Sequence, residues 1–340
     1  MKFEAVTIKD IAKALGLSTS TVSRALRDSY EISPETKKRV IEYAQQINYQ
    51  PNPIALSLKE RKSRSIGVIV CEIANSFFSQ VINGIESIAN ERGYNIIIAQ
   101  SLESASRELS DLQFLTSRSV DGIIMSVGSE VSDYAYLKEL TEKGMPVVFF
   151  DRVVQDIQTH KVISGNYDGA YKATTYLIKK GYRNIAAIAN AEGLSITRER
   201  IAGYCQALTD HGLPVQEAYI RHCLHSGRVT EEVDEAFRQI WKQKKKPDAI
   251  FAASDKLTTG CLRILKQRKL KVPDQVALIG FSNNDLTELL DPPLSIIKQP
   301  AFEMGVAATG LLLELIESKR PVTEFETKVL PAELIIRTSA

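Results

Sequence analysis

Residues 7–26 read TIKDIAKALGLSTSTVSRAL. Ile8, Ile11, Ala12 and Leu15 recur at helical spacing, and Thr7 with Asp10 forms an N-terminal capping pattern. Gly16 ends that helix, since glycine enters the left-handed region without steric cost. Ser18 caps a second helix whose apolar members are Val22, Ala25 and Leu26. Two short helices joined by a tight turn containing glycine define a helix-turn-helix.

Working outward, Ser33-Pro34-Glu35 opens a third helix with a capping serine, a proline at the first helical position and an acid favoured by the dipole. Its core face is read as Val40, Ile41, Ala44 and Ile47. The second helix leaves Thr19, Ser20, Ser23, Arg24 and Arg27 off its apolar stripe. Short polar residues followed one turn later by arginine suit base-edge reading in a major groove. The plainer alternative is that Thr19 and Ser20 are first-turn residues and Arg24 a solvated charge. Beyond Tyr49-Gln50-Pro51-Asn52-Pro53, which breaks the helix, residues 54–65 mix Ile54, Ala55, Leu56 and Leu58 with Lys59, Arg61, Lys62 and Arg64. Apolar side chains on a basic linker fit a short hinge helix whose leucine wedges into a minor groove.

Charge supports a polyanion partner for this head. Residues 1–65 carry 12 Lys/Arg against 7 Asp/Glu, whereas the rest of the 340-residue chain carries 31 against 34. No run approaches the 18 apolar residues of a membrane span, and the start lacks a signal-peptide layout, so a cytoplasmic protein is expected. Cys71, Cys205, Cys223 and Cys261 are scattered and read as reduced thiols. His222, Cys223 and His225 lack a second ligand pair, so no metal is expected.

The run Thr7-Ile8-Lys9-Asp10-Ile11-Ala12, Leu17 to Leu26, Tyr49-Gln50-Pro51-Asn52 and Ala55-Leu56-Ser57-Leu58 resembles the lactose/galactose repressor (LacI/GalR) family of transcription regulators. The resemblance implies that Thr19, Ser20 and Arg24 read bases and that Leu58 is the minor-groove lever. Thr7, Ser18, Thr21, Ser23, Asn52, Ala55 and Lys59 complete the expected DNA-binding set.

From residue 66 onward, apolar runs alternate with helical stretches, which argues an α/β core with parallel sheets. The runs are 66–71, 95–99, 122–126 and 146–150, then 184–189, 249–253 and 276–281. They form two doubly wound lobes that face each other across a cleft. By resemblance the core is similar to periplasmic binding proteins, with lobe 1 at about 66–164 and 296–327 and lobe 2 at about 165–295 and 328–340. Residues 1–53 form the DNA-binding head.

Ligands of open α/β sheets bind beyond the carboxyl ends of strands. That rule selects Asn75, Phe77, Phe78 and Asp151 from the first lobe, with Arg152 following. From the second it selects Arg198, Arg200, Asp255, Ser282 and Asn283. Carboxylates, arginines, amides and aromatic rings together suit a sugar or sugar derivative. Helix capping by Asp255, core packing of Phe77 and surface pairing of Arg198 are the plain alternatives. The resemblance makes Phe77 and Phe78 effector walls and Arg200 the effector-binding arginine. One departure stands out: many relatives carry an acid directly after the Gly-Phe/Tyr of the late strand, and here that residue is Ser282, followed by Asn283.

No nucleophile elbow, phosphate loop or dinucleotide fingerprint is present, so neither enzymatic activity nor a cofactor is expected. A stand-alone solute-binding protein would not need a basic head, and an architectural DNA binder would not need a cleft. The expectation is a regulator, a repressor by that resemblance, controlled allosterically by a small molecule. The chain ends without a leucine heptad, so a homodimer on a pseudo-palindromic operator is expected.

Overall fold

The computed structural model describes residues 6–49, 62–131 and 133–340. Asn52, Ala55, Leu58 and Lys59, expected among the DNA contacts, lie outside the described residues. The chain divides into two compact units, Met1–Arg64 and Ser65–Ala340.

In the first unit, helices α1 (Ile8–Leu15), α2 (Thr19–Ala25) and α3 (Pro34–Gln46) are set by their ends. The Asp10 carboxylate accepts from the Thr7 N–H at 2.8 Å and from its hydroxyl at 2.7 Å. Gly16 turns left-handed at φ 65°. Ser18 accepts from the Thr21 N–H at 3.1 Å, and Ser33 from the Thr36 N–H at 3.2 Å. These caps satisfy donors that a helix start otherwise leaves open. Ile11, Ala12, Val22, Ala25, Val40 and Ala44 form the buried centre. Ile41 departs from the expected core face: it is 39% exposed, because it sits about 100° around the helix from Val40.

The second unit holds two six-stranded sheets. The first lobe is built from β1 (Ser65–Val70), α4 (Ser76–Glu91), β2 (Asn95–Gln100), α5 (Ala105–Ser117), β3 (Gly122–Met125), α6 (Ala135–Glu142), β4 (Val147–Phe150) and β5 (His160–Ser164). The second contains α7 (Asn166–Lys179), β6 (Ile185–Asn190), α8 (Ser195–Asp210), β7 (Ile220–Cys223), α9 (Thr230–Trp241), β8 (Ala249–Ala252), α10 (Asp255–Gln267), β9 (Ala277–Phe281) and β10 (Ser295–Lys298). Then α11 (Ala301–Glu317) and β11 (Thr327–Leu330) return to the first lobe, and β12 (Glu333–Ile335) to the second.

Strand orders are β11-β5-β4-β3-β1-β2 and β12-β10-β9-β8-β6-β7. Every pairing is parallel except β12 against β10. Central strands such as β4 and β6 are buried along their whole length, as strands covered on both faces must be. Helices α4 and α11 touch backbone to backbone: a Cβ on Gly84 would lie 2.1 Å from the Phe302 carbonyl oxygen, and one on Gly305 2.2 Å from that of Val81.

Two strands escape the apolar pattern. β5, His-Lys-Val-Ile-Ser, is buried, but Lys161 turns its ammonium to the Ile157 carbonyl at 2.9 Å. β7, Ile-Arg-His-Cys, is an edge strand and tolerates polar residues. The return segments also differ from expectation. Ser295–Lys298 does not cross to the first lobe; it pairs in parallel with β9, with Ile296 and Ile297 buried in the second lobe. The crossing follows at Gln299-Pro300, where the proline precedes α11. Likewise Lys328–Leu330 pairs with β5 in the first lobe, and the chain returns only after Pro331-Ala332. The tail is then stitched in: the buried Ser339 hydroxyl donates to the Leu278 carbonyl at 2.6 Å and accepts from the Ser295 N–H at 2.8 Å.

Candidate functional site

On the head, Thr19, Ser20, Arg24 and Arg27 are exposed, while Thr21 and Ser23 are half-buried. The Ser18 oxygen is occupied by the Thr21 N–H and the Thr7 hydroxyl by Asp10, so both stabilise helix starts. Arg24 forms a 2.9 Å ion pair with Glu31 in which both partners are largely solvated. Such a pair contributes at most about 1 kcal/mol and is readily exchanged for another acceptor.

In the core, the carboxyl ends of both sheets converge on a narrow cavity of about 50 Å³, with an adjoining one of about 40 Å³. Asn75, Phe77, Phe78 and Asp151 line it from the first lobe, and Arg200, Asp255, Ser282 and Asn283 from the second. Arg198 does not reach it: it is exposed and donates to the Gly193 carbonyl at 2.7 Å. Residues two apart on α8 face different sides of the helix, so Arg198 and Arg200 cannot share a wall.

The first-lobe wall is tightly paired. Asn75 caps α4, its side-chain oxygen accepting from the Phe77 N–H at 2.9 Å. Phe77 and Phe78 pack edge to face at 5.3 Å, and Phe78 packs on Phe150 at 6.1 Å. Asp151 is left-handed at φ 56°, as are Leu102 at 52° and Glu103 at 69°. Residues in that region cost about 1–3 kcal/mol each and cluster at ligand clamps. Arg152 is buried and donates to Glu103 at 2.6 Å. Burial raises the Glu103 carboxyl, but Arg152 and the Ser129 N–H outweigh it and hold the group below its ordinary range. Behind them, burial pushes Glu108 up to about 7 despite its bond from the Gly128 N–H at 2.8 Å.

The second-lobe wall is different. Arg200 is buried, with Nε on Asn166 Oδ1 at 2.8 Å and one Nη on the Ala253 carbonyl at 2.6 Å. Its guanidinium stacks 3.8 Å from the Phe281 ring centre, and burial lowers it to about 10, so it stays charged at neutral pH. Ser282 donates to Asp255, whose carboxyl burial raises above its usual range, and Ser254 donates to Asn190 at 2.8 Å.

Several bonds join the lobes directly. Gln80 and Asn283 exchange two, with Gln80 Nε2 donating to the Asn283 carbonyl at 3.1 Å and Asn283 Nδ2 to Gln80 Oε1 at 2.9 Å. Gln299, in the crossing itself, donates to Asp151 at 3.1 Å. Lys256 reaches Glu72 across the mouth at 2.6 Å, and Arg228 donates to the Leu102 carbonyl. Asn283 is therefore first a strut between lobes: its Nδ2 also meets the Gln299 carbonyl at 2.8 Å, and its Oδ1 takes the Gln299 N–H at 3.1 Å.

Asn190, Ile196 and Gln299 also line the cavity and were not anticipated. Asn190 ends β6 and Gln299 directly follows β10, so applying the strand-end rule to every strand would have found both. The histidine pair is structural: His222 Nδ1 lies 2.9 Å from the Asn190 carbonyl and His225 Nδ1 2.7 Å from Glu232. Among the described residues, no cluster of potential metal ligands is present, and no helix is long and apolar enough to cross a membrane.

A helix-turn-helix unit followed by a two-lobed periplasmic-binding-protein-like core defines a DNA-binding transcription regulator. Residues 7–52 match the model for bacterial regulatory proteins of the lacI family, and residues 174–340 that for a periplasmic binding protein-like domain. The chain is 34% identical to the HTH-type transcriptional repressor CytR of Escherichia coli strain K12, over 98% of this chain and 96% of that one. Among solved structures it is similar to the transcriptional regulator CelR–cellobiose complex, with a TM-score of 0.74 and 27% identity over 98% of this chain and 100% of that one. It shares its fold with the lac repressor dimer bound to operator and the anti-inducer ONPF, at a TM-score of 0.84 and 23% identity over 99% of both chains. The protein belongs to the lacI family of bacterial regulatory proteins and is a DNA-binding transcriptional repressor.

Proposed function

We propose that this repressor binds a pseudo-palindromic operator as a homodimer in the cytoplasm, and that a sugar or sugar derivative held between its core lobes sets operator affinity. The observation that carries this reading is the cavity itself. Residues from both lobes line it, and bonds such as Gln80–Asn283 and Lys256–Glu72 link its two sides. A molecule binding there touches both lobes, so it favours one lobe arrangement over another. That differential affinity is the only way a ligand shifts an equilibrium. The resulting coupling to operator binding is reciprocal and typically about 1–3 kcal/mol. The likeness to a regulator solved with cellobiose supports a carbohydrate class for the effector.

At the operator, Thr19, Ser20 and Arg24 read base edges, and Thr7, Ser18, Thr21 and Ser23 complete the contacts of the head with DNA. Leu58 wedges into the minor groove, and Asn52, Ala55 and Lys59 complete the DNA contacts. Arg24→Ala is expected to cost roughly 1–3 kcal/mol of operator binding and to relax preference at one base position. An equal loss on every DNA sequence would reduce Arg24 to a phosphate contact.

The direct test is operator binding by the full chain at fixed salt, titrated with mono- and oligosaccharides and their derivatives; salt is fixed because phosphate contacts make affinity steeply salt-dependent. A several-fold change with one compound class supports the reading, and its sign separates inducer from co-repressor. Specific binding that no compound alters would contradict it.

A further inference from the structure

The two buried arginines of the cavity are compensated unequally. Arg152 has a carboxylate on its guanidinium, Glu103 at 2.6 Å, and its Nε, which has no hydrogen-bond partner, still lies 4.0 Å from the Asp151 carboxylate. Arg200 has none: its hydrogen-bond partners are the Asn166 amide oxygen and the Ala253 carbonyl, and its face lies on Phe281. Its second terminal nitrogen, Nη2, is buried and has no hydrogen-bond partner among the described residues. A fixed cation inside protein is costly unless it is paired, and a buried donor left unmade adds to that cost.

The nearby acids are committed elsewhere. Asp151 accepts from Gln299 at 3.1 Å and lies 4.0 Å from Arg152. Asp255 is engaged by Ser282, and Glu72 by Lys256 at 2.6 Å. The residue after Phe281, where an acid would add a negative charge to this wall, is the neutral Ser282. The charges of Asp151 and Glu199 act on Arg200 from a distance, but it lacks a bonded negative charge of its own.

We infer that the effector supplies it: the ligand is a small polyhydroxylated carboxylic acid whose carboxylate pairs with Arg200 Nη2. This rests on the reading of the cavity as the effector site and narrows the ligand class from sugars in general to their acids. The remaining polar groups suit the hydroxyls of such a molecule. Asp255 and Asn75 accept, and the Asn190 amide, whose oxygen takes the Ser254 proton at 2.8 Å, has its N–H₂ to donate. A carboxylate brings the one charge that Arg200 can pair, whereas a phosphate dianion would set a second charge among Asp151 and Asp255, which line the same cavity.

The test is calorimetric binding to the full-length protein, using matched pairs: glucuronate with glucose, galacturonate with galactose, gluconate with glucitol, and glucose 6-phosphate as the alternative anion. At least one acid is expected to bind about tenfold or more tightly than its neutral counterpart, the usual return of a charge-assisted bond. Arg200→Met should erase that difference. Should that variant fold poorly, Ser282→Asp supplies the missing charge from the protein and is expected to weaken the acid about tenfold relative to the neutral partner. Neutral partners binding as well as the acids, the phosphate ester binding more tightly than any acid, or no acid binding at all would each overturn the inference. Failure of the parent reading looks different: an acid that binds here but leaves operator affinity unchanged sinks allosteric control and not the ligand class. A neutral sugar that shifts operator affinity does the reverse.

Discussion

The two walls of the cavity carry one buried arginine each and treat it in opposite ways. On the first lobe, Arg152 is locked to Glu103, and a shell of further groups closes around the pair. Burial works against the Arg152 cation, but the Glu103 carboxylate at 2.6 Å holds it charged, and the Cys71 sulfur, a thiol kept protonated by burial, accepts from it at 3.4 Å. Each guanidinium keeps one N–H without a hydrogen-bond partner, Nε on Arg152 and Nη2 on Arg200, but on the second lobe Arg200 sits against neutral dipoles and a ring with no carboxylate bonded to it. The lesson is that residue type and burial do not separate a structural arginine from a binding one; the compensation around it does. A paired wall is a rigid floor, whereas an unpaired one takes up charge from a ligand.

The comparison can be broken most sharply at Glu103. Glu103→Ala strands a buried cation and is expected to lower unfolding free energy by about 3–5 kcal/mol in urea titrations. A loss under about 1 kcal/mol would mean the first wall is no better compensated than the second. The next largest effect concerns pH. The folded Glu108 carboxyl is raised by burial from an ordinary 4.5 to about 7, so the native state binds the extra proton. Its contribution is fully present below pH 4.5 and is lost as pH rises through about 7, up to about 3 kcal/mol in all. Glu108→Gln should flatten that fall in stability between pH 4.5 and 7; an unchanged slope would show that the proton is held elsewhere.

Arg200→Met sharpens the other side. It removes an uncompensated charge while leaving the Asn166 and Ala253 oxygens without donors, so thermal unfolding should move by no more than about 1 kcal/mol. A loss as large as that of Glu103→Ala would make Arg200 structural after all. The smallest effect is expected at the mouth, where the Lys256–Glu72 pair is partly solvated. Lys256→Met should loosen ligand binding by a few-fold, within about 1 kcal/mol, measured by the same calorimetry.

Much of this was legible in the sequence. The head was, because its helices are set by local chemistry: Thr7 with Asp10, Gly16, Ser18 and Ser33-Pro34 each act within a few residues. The central strands were, because burial on both faces writes them as apolar runs. β5 and β7 were hidden because one buries a lysine by turning it to a carbonyl and the other lies at an edge. The sheet that each return segment joins is not written locally: Ser295–Lys298 stays with its sequence neighbour β9, whereas Thr327–Leu330 pairs with β5, which precedes it by more than a hundred residues. Strand ends gave most of the cavity, but not the difference between Arg198 and Arg200, which helix geometry alone would have drawn. The state of Arg200 itself was out of reach, since it depends on where Asp151 and Asp255 direct their oxygens.

The most direct measurement is operator affinity of wild-type and Arg200→Met full-length protein, at one salt concentration, as the best-binding sugar acid is titrated. The account predicts a several-fold shift for the wild type and none for the variant, with equal affinities when no ligand is present. An equal shift in both proteins would place the control somewhere other than this cavity wall, and no shift in either would contradict ligand control altogether.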